Sequence, residues 1–101
     1  MSPTPSRESI AEKVGAILVE VLSVPPARVT PAARVILDLG AESIDLLDLR
    51  FRVEKAFEIR ITKEDLAAAF GDTVQSGEYL ERFTVAALCD YVERRLEQAR
   101  G

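Results

Sequence analysis

Apolar residues recur at steps of three and four positions in three long segments of this 101-residue chain. That spacing places them on one face of a helix, and it predicts helices over about 10–22, 43–57 and 85–96. A short helix is also indicated at 63–70. Strand signals are weak, because the one alternating stretch covers only 58–61 and cannot make a sheet alone. We therefore expect an all-α fold, a four-helix bundle of three main helices plus one short helix.

A long loop is expected between the first two main helices. Ser6 or Ser9 caps the first helix, because a serine oxygen can accept a free backbone N–H there. Prolines 25–26 end it, since proline has no N–H and disfavours helix at the residue before it. The following connection, 23–42, is unusually long for a compact domain. It contains several apolar residues, which we expect to pack on the bundle.

The domain organisation follows from the same pattern. We assign a single domain to 6–98, with a flexible tail at 1–5 and a frayed end at 99–101. Within the domain, 71–83 is a longer connection before the last helix. Its turn-forming residues leave room for one extra helical turn near 78–82.

Composition excludes several classes of function. There is no His, so histidine bases, Ser–His–Asp triads and His-ligated metal sites are ruled out. A net charge of −4 disfavours binding to nucleic acid. The longest apolar run is far below the length of a membrane span. The single cysteine, Cys89, cannot form an internal disulfide, suits a cytoplasmic protein and is expected in the core.

The stretch Asp38-Leu39-Gly40-Ala41-Glu42-Ser43-Ile44-Asp45 carries the strongest functional signal. Gly40 permits a sharp turn, and Ser43 then falls at or next to the start of the second main helix. Free backbone amides and the helix dipole favour a phosphate there. The alternative is that Ser43 only caps the helix. A cap does not require the surrounding cluster of four carboxylates, Asp38, Glu42, Asp45 and Asp48.

The second main helix has two apolar stripes, although a helix that packs against the core on one face requires only a single stripe. The core-facing arc holds Leu46, Leu49, Val53 and Phe57. The other stripe, on the flank, consists of Ile44, Leu47 and Phe51.

The motif around Ser43 closely resembles the signature of the acyl carrier proteins, Asp-Leu-Gly-Ala-Asp-Ser-Leu-Asp around a phosphopantetheinylated serine. The resemblance covers nearly the whole chain apart from its tails and 71–83. It extends to Ile10 and Val14, Val29-Thr30, Phe57 with Ile61, Thr84-Val85-Ala86-Ala87 and Asp90-Tyr91-Val92.

The resemblance implies a carrier and not an enzyme. Ser43 would hold 4′-phosphopantetheine, attached covalently from coenzyme A by a separate Mg²⁺-dependent transferase, with Asp38, Leu39, Gly40 and Glu42 as the flanking motif. The carrier would present acyl thioesters to enzymes of fatty-acid, lipid or secondary-metabolite synthesis, as a monomer. An aminoacyl, polyketide or peptidyl carrier is left open, and so is a helical interaction module without a prosthetic group.

The resemblance also implies a partner surface. Asp45 and Asp48 would attract basic surfaces of partner enzymes, and Ile44, Leu47 and Phe51 would make the short-range contact. The alternative is that these three apolar side chains pack inward beneath the long loop. In this family a cavity shelters the acyl chain. The candidates to line it are Leu46, Val53 and Phe57.

Three departures from the family pattern indicate a specialised carrier. Glu42 replaces the usual Asp, so its carboxylate reaches one methylene further. Basic residues at Arg50, Arg52 and Lys55 interrupt the acidic helix. The connection 71–83 is longer by about ten residues, as a tolerated surface insertion or as an element that reshapes the acyl cavity. In the second case Tyr79, Leu80 and Phe83 would face the cavity.

Overall fold

The structure, a computed structural model, describes residues 5–70 and 77–100. Residues 1–4 of the expected tail, 71–76 of the longer connection and Gly101 lie outside the described residues. Five α-helices follow in chain order: α1 (Arg7–Leu22), α2 (Ser43–Phe57), α3 (Lys63–Phe70), α4 (Gly77–Arg82) and α5 (Val85–Arg100). A 3-10 turn at Pro26–Arg28 lies in the long loop, and the described ranges contain no strand. The all-α prediction is confirmed, with one helix more than the four that were predicted.

The additional helix is α4, in the region where the sequence left room for a single turn. The last helix also extends further than predicted. It continues to Arg100, two residues past the predicted domain end at 98, because neither Ala99 nor Arg100 is a helix breaker.

Short polar side chains begin three of the helices. Ser6 is the N-cap of α1, and its Oγ accepts a hydrogen bond from Ser9 N at 3.1 Å. Ser9 therefore lies inside the helix and is not its cap. Thr62 accepts from Asp65 N at 3.1 Å at the start of α3, and Thr84 accepts from Ala87 N at 3.0 Å at the start of α5. These bonds satisfy amides that have no partner inside a helix.

The core forms where α1 packs against both α2 and α5. Each of the three helices contributes buried apolar side chains, which are Ile10, Val14, Leu18, Leu49, Val53, Phe57, Leu88, Cys89 and Val92. Burial raises the pKa of the Cys89 thiol. A buried thiol with a raised pKa is a small apolar core residue and not a nucleophile, as the sequence predicted.

The long loop is held on the bundle by backbone hydrogen bonds to the residues before and at the start of α5. Val35 N donates to the Phe83 carbonyl at 2.8 Å, and Val85 N donates to the Ala33 carbonyl at 2.9 Å. Val35 and Leu39 are buried, which confirms that the loop packs through its own apolar side chains. Leu37 is the exception, with 46% of its surface exposed. The loop therefore presents α2 from a fixed position.

Candidate functional site

Ser43 is the first residue of α2, and its side chain is exposed. The N-cap position before it belongs to Glu42, which has extended backbone angles. The Asp45 carboxylate accepts a hydrogen bond from Glu42 N at 2.9 Å, as in a capping box. Within the described residues the Ser43 hydroxyl makes no hydrogen bond. The interpretation of Ser43 as an ordinary helix cap is therefore wrong, because Glu42 occupies the N-cap position and its backbone N–H is bound by the Asp45 carboxylate.

The turn before Ser43 depends on Gly40. Its φ is +77°, in the left-handed region that glycine adopts without strain. A Cβ at this position would meet nothing within 4 Å, so the backbone angle and not crowding requires glycine. Leu39 and Ala41 on either side are buried, whereas Glu42 and Ser43 are exposed. The motif thus anchors the loop from within and presents the serine outward.

Asp38 is tied to the loop and does not contribute a free charge to the cluster. Its carboxylate accepts hydrogen bonds from Arg34 N at 2.7 Å, Arg34 Nε at 2.9 Å and Arg34 Nη2 at 3.0 Å. These bonds lower the pKa of Asp38 to about 2. Arg34 Nη1 also lies 3.1 Å from the carboxylate of Glu81 on α4. The loop that precedes Ser43 is therefore linked to α4 by an ion-pair network.

The Asp38–Arg34 pair gives a prediction for acid stability. Because the folded-state pKa of Asp38 is depressed, the stabilisation is present at neutral pH and is lost as the pH falls from about 4 towards 2. We expect Asp38→Asn to lower the thermal unfolding midpoint at pH 7 and to flatten its pH dependence over this window. Calorimetry from pH 7 to pH 2 measures both effects. Arg34→Gln should act in the same way, and an unchanged acid slope in both variants would contradict the assignment.

The remaining carboxylates form a smaller acidic patch than the sequence predicted. Asp48 pairs with Arg52 at 3.0 Å, and Arg52 also reaches Glu20 at 3.2 Å. Across the described ranges Glu42 and Asp45 have no basic partner. The negative charge that is not balanced by a cation is therefore concentrated at these two residues, which directly flank Ser43.

The second apolar stripe of α2 faces solvent. Ile44 is 72% exposed, Leu47 is 50% exposed and Phe51 is 56% exposed. Their spacing of three and four residues places them on one face of the helix, beginning next to Ser43. The alternative that they pack beneath the long loop is wrong. Leu37 in the long loop is another large apolar side chain that is exposed. The sequence did not single it out, because the loop has no periodic pattern that separates exposed from buried apolar residues.

A cavity of about 40 Å³ lies between α2, α3, α4 and α5. Leu46 and Val53, two of the three predicted candidates, line it, whereas Phe57 does not. Phe57 instead lies in the core with the Lys13 ammonium over its ring. Tyr79 and Phe83 from the longer connection also line the cavity. Leu80 is half-buried and is absent from its lining.

A larger groove of about 750 Å³ lies elsewhere, between α1, the 3-10 turn and the start of α5. No residue of the Ser43 motif lines it. Among the residues with described positions, no group of three side chains is arranged to hold a metal ion, and no helix is long and apolar enough to cross a membrane.

Known proteins match this chain across the region that contains the site. Residues 12–76 match a family described as a phosphopantetheine attachment site. The acyl carrier protein of Thermotoga maritima is 40% identical over 79 residues, which cover 76% of this chain and 94% of that protein. The acyl carrier protein of Amoebophilus asiaticus is 42% identical over 73 residues, which cover 72% of this chain and 90% of that protein. The acyl carrier protein of Solidesulfovibrio magneticus is 46% identical over 57 residues, which cover 56% of this chain and 73% of that protein.

Proposed function

Because this chain belongs to the acyl carrier protein family, we propose that Ser43 Oγ is the attachment point of its 4′-phosphopantetheine arm. Members of the family are carriers and not enzymes, and phosphopantetheine is the prosthetic group of this chain. The bound group supplies the thiol that holds an acyl chain as a thioester. Asp38, Leu39, Gly40 and Glu42 position the serine.

The observation that carries this proposal is the exposed Ser43 hydroxyl, which the helix does not use. The residues around it fit a phosphate ester. Ser43 and Ile44 occupy the first two positions of α2, where backbone N–H groups have no partner within the helix. These amides and the positive end of the helix dipole stabilise a neighbouring negative charge.

The chemistry of attachment assigns separate tasks to this chain and to the transferase. Ser43 Oγ attacks the phosphorus of coenzyme A that bears the pantetheine, forming an Oγ–P bond. The P–O bond to adenosine 3′,5′-bisphosphate breaks and that group leaves. The serine proton passes to a base of the transferase, because this chain has no histidine and, among its described residues, no base hydrogen-bonded to Ser43.

The partners we propose are the transferase and enzymes that load and transfer acyl groups in fatty-acid, lipid or secondary-metabolite synthesis. Ile44, Leu47 and Phe51 provide the apolar contact, and the carboxylates of Glu42 and Asp45 attract basic residues beside it, whereas the charge of Asp48 is offset by Arg52. The cations on the distal half of α2, including Arg50 and Lys55, favour partners that differ from those of a uniformly acidic carrier. We propose that the carrier acts as a monomer in the cytoplasm.

Truncating Leu47 tests this surface. Leu47→Ser leaves the core intact, because the side chain is half exposed. We expect kcat/KM for attachment by a phosphopantetheinyl transferase to fall about tenfold, the loss typical of one important interface side chain. Ala56→Ser, at an exposed position further along α2, serves as the control and should change the rate less than twofold. Equal rates for wild type and Leu47→Ser would contradict the assigned surface.

Intact-mass spectrometry tests the proposed function directly. The protein is measured before and after incubation with coenzyme A, Mg²⁺ and a broad-specificity transferase. We expect a gain of one phosphopantetheine group, located by digestion on the peptide that contains Ser43. Controls without coenzyme A or without Mg²⁺ should show no gain. No gain with several transferases, together with no modified form in the native host, would instead support an interaction module without a prosthetic group.

A further inference from the structure

A groove of about 490 Å³ lies beside the distal half of α2 and the residues that follow the helix. Three cationic side chains and one carboxylate line it, together with one exposed aromatic ring and one buried aliphatic side chain. These residues are Arg50, Lys55, Arg60, Glu54, Phe51 and Ile59. No residue of the Ser43 motif lines this groove, which we call the basic groove.

The cations of the basic groove are not neutralised within the protein. Across the described ranges, none of the three forms an ion pair. The neighbouring Arg52, by contrast, pairs with Asp48 at 3.0 Å and with Glu20 at 3.2 Å. The Glu54 carboxylate accepts a hydrogen bond from Ile61 N at 2.7 Å and so serves the backbone after α2. The groove therefore keeps a net positive charge, although the chain as a whole carries −4.

Arg50 and Phe51 join the basic groove to the second apolar stripe of α2. The Arg50 guanidinium lies over the Phe51 ring, with Cζ 5.9 Å from the ring centroid, in a cation–π arrangement. Phe51 is 56% exposed and belongs to the stripe with Ile44 and Leu47. A partner that covers this ring therefore also covers the edge of the basic groove.

The unpaired charge along α2 changes sign from one end of the helix to the other. Glu42 and Asp45, at the start, have no basic partner in the described chain, whereas the cations of the basic groove lie near the end. From Glu42 to Lys55 the helix rises about 20 Å. A standard protein interface buries about 800 Å² on each side, a patch roughly 30 Å across, so one docked partner spans both ends.

We propose that the basic groove binds an acidic segment of a partner protein, which places aspartate or glutamate side chains against Arg50, Lys55 and Arg60. The same partner is basic where it faces the start of α2, so the two charge pairings fix one orientation of docking. An enzyme with a uniformly basic docking face would meet like charges in the groove and lose affinity. This inference rests on the proposed carrier function and deepens it, because it names the chemistry of the partner.

Other anionic occupants fit the charge pattern less well. A membrane of anionic lipids, or a nucleic acid, brings negative charge to both ends of α2. The carboxylates of Glu42 and Asp45 would repel it at the first end while the basic groove attracted it at the second. A protein surface can carry both signs of charge at the required separation, which is why we assign the groove to a protein partner.

Binding of a synthetic peptide tests the inference. The probe is a short fluorescein-labelled peptide of alternating glutamate and leucine, and its matched control carries glutamine in place of each glutamate. Fluorescence anisotropy at low salt measures both affinities for the carrier. We expect the glutamate peptide to bind about tenfold more tightly, the combined effect of three exposed ion pairs. Raising the salt concentration should remove the preference, because exposed charges are screened.

Charge reversals locate the binding site. Lys55→Glu and Arg60→Glu change exposed side chains that form no ion pair in the described structure, so the thermal unfolding midpoint should be preserved. Each should weaken binding of the glutamate peptide about fivefold and leave the glutamine peptide unaffected. Arg94→Glu is the matched control, since Arg94 is an exposed arginine on α5 outside the groove, and its effect should be less than twofold.

The outcomes separate this inference from the attachment at Ser43. Equal affinity for the glutamate and glutamine peptides, or no measurable binding of either, would overturn the inference. A loss for Arg94→Glu as large as that for Arg60→Glu would also overturn it, since the peptide would then sense only the total charge.

Other occupants of the groove have their own signatures. Carrier dimers that Lys55→Glu dissociates, seen by analytical ultracentrifugation, would assign the groove to a second copy and overturn the inference. Sedimentation with phosphatidylglycerol vesicles that Arg60→Glu abolishes would overturn it in favour of a membrane. Ser43→Ala should bind the glutamate peptide as tightly as wild type does, so a failure of phosphopantetheine attachment leaves this test unaffected.

Discussion

Ser43→Ala is expected to abolish attachment of phosphopantetheine while changing the free energy of unfolding by less than about 0.5 kcal/mol. Attachment needs the hydroxyl, and alanine has none. Stability should hold because Glu42 is the N-cap of α2 and the Ser43 Oγ makes no hydrogen bond in the described structure. Intact-mass spectrometry measures the first effect, and urea unfolding measures the second.

Ser6→Ala is the matched control, because Ser6 is a serine that does cap a helix. We expect the opposite result, with normal attachment and a loss of about 1 kcal/mol, the usual cost of removing a serine cap. Should Ser43→Ala instead lose that much stability and still accept the group on another residue, both the assigned site and its geometry would be wrong.

The sequence predicted the start of α2 from several local signals, and its end from the last core-facing apolar residue, Phe57. Gly40 allows the chain to turn, the apolar spacing begins at once after Ser43, and the helix ends where Glu58 adopts the left-handed conformation with φ 55°. The N-cap position of Glu42 could also have been predicted from the local sequence. Acidic residues three positions apart, Glu42 and Asp45, are a variant of the capping-box pattern, and they indicate that Ser43 need not be the cap.

The six-residue helix α4 was harder to predict, because a helix of that length has little stability of its own. Its position depends on contacts that are distant in sequence. Tyr79 and Phe83 pack on the Phe70 ring of α3, with ring centroids 5.9 and 4.8 Å away. Tyr79 and Phe83, at the described end of the longer connection, therefore contribute to the core and to the wall of the small cavity.

Two features of the site depend on the tertiary structure and leave no local pattern. Arg34 lies just outside the run of residues 35–49 that contains no basic side chain, and it pairs with Asp38 and with Glu81, 47 positions away. Arg50 and Tyr91 meet at one cavity from different helices. In the sequence, Arg50 indicated only an interruption of an acidic helix, and Tyr91 indicated only the family's last helix.

Phe83→Ala should be among the most destabilising substitutions in the chain, with a loss of about 3–5 kcal/mol. Phe83 is 3% exposed, its ring lies 4.8 Å from Phe70 and 5.5 Å from Tyr79 between centroids, and it lines the small cavity. Truncation therefore removes aromatic contacts and enlarges a space that the bundle cannot easily close. Urea unfolding of the unloaded protein measures the loss.

Phe51→Ala provides the comparison, since it deletes the same ring from a position that is 56% exposed. We expect a change in stability of less than about 0.5 kcal/mol there, together with weaker attachment by the transferase. Phe83→Leu should recover much of the loss, because leucine refills most of the volume. If Phe83→Ala were as stable as Phe51→Ala, the end of the longer connection would be a surface insertion, and the cavity wall that Phe83 forms would not exist in solution.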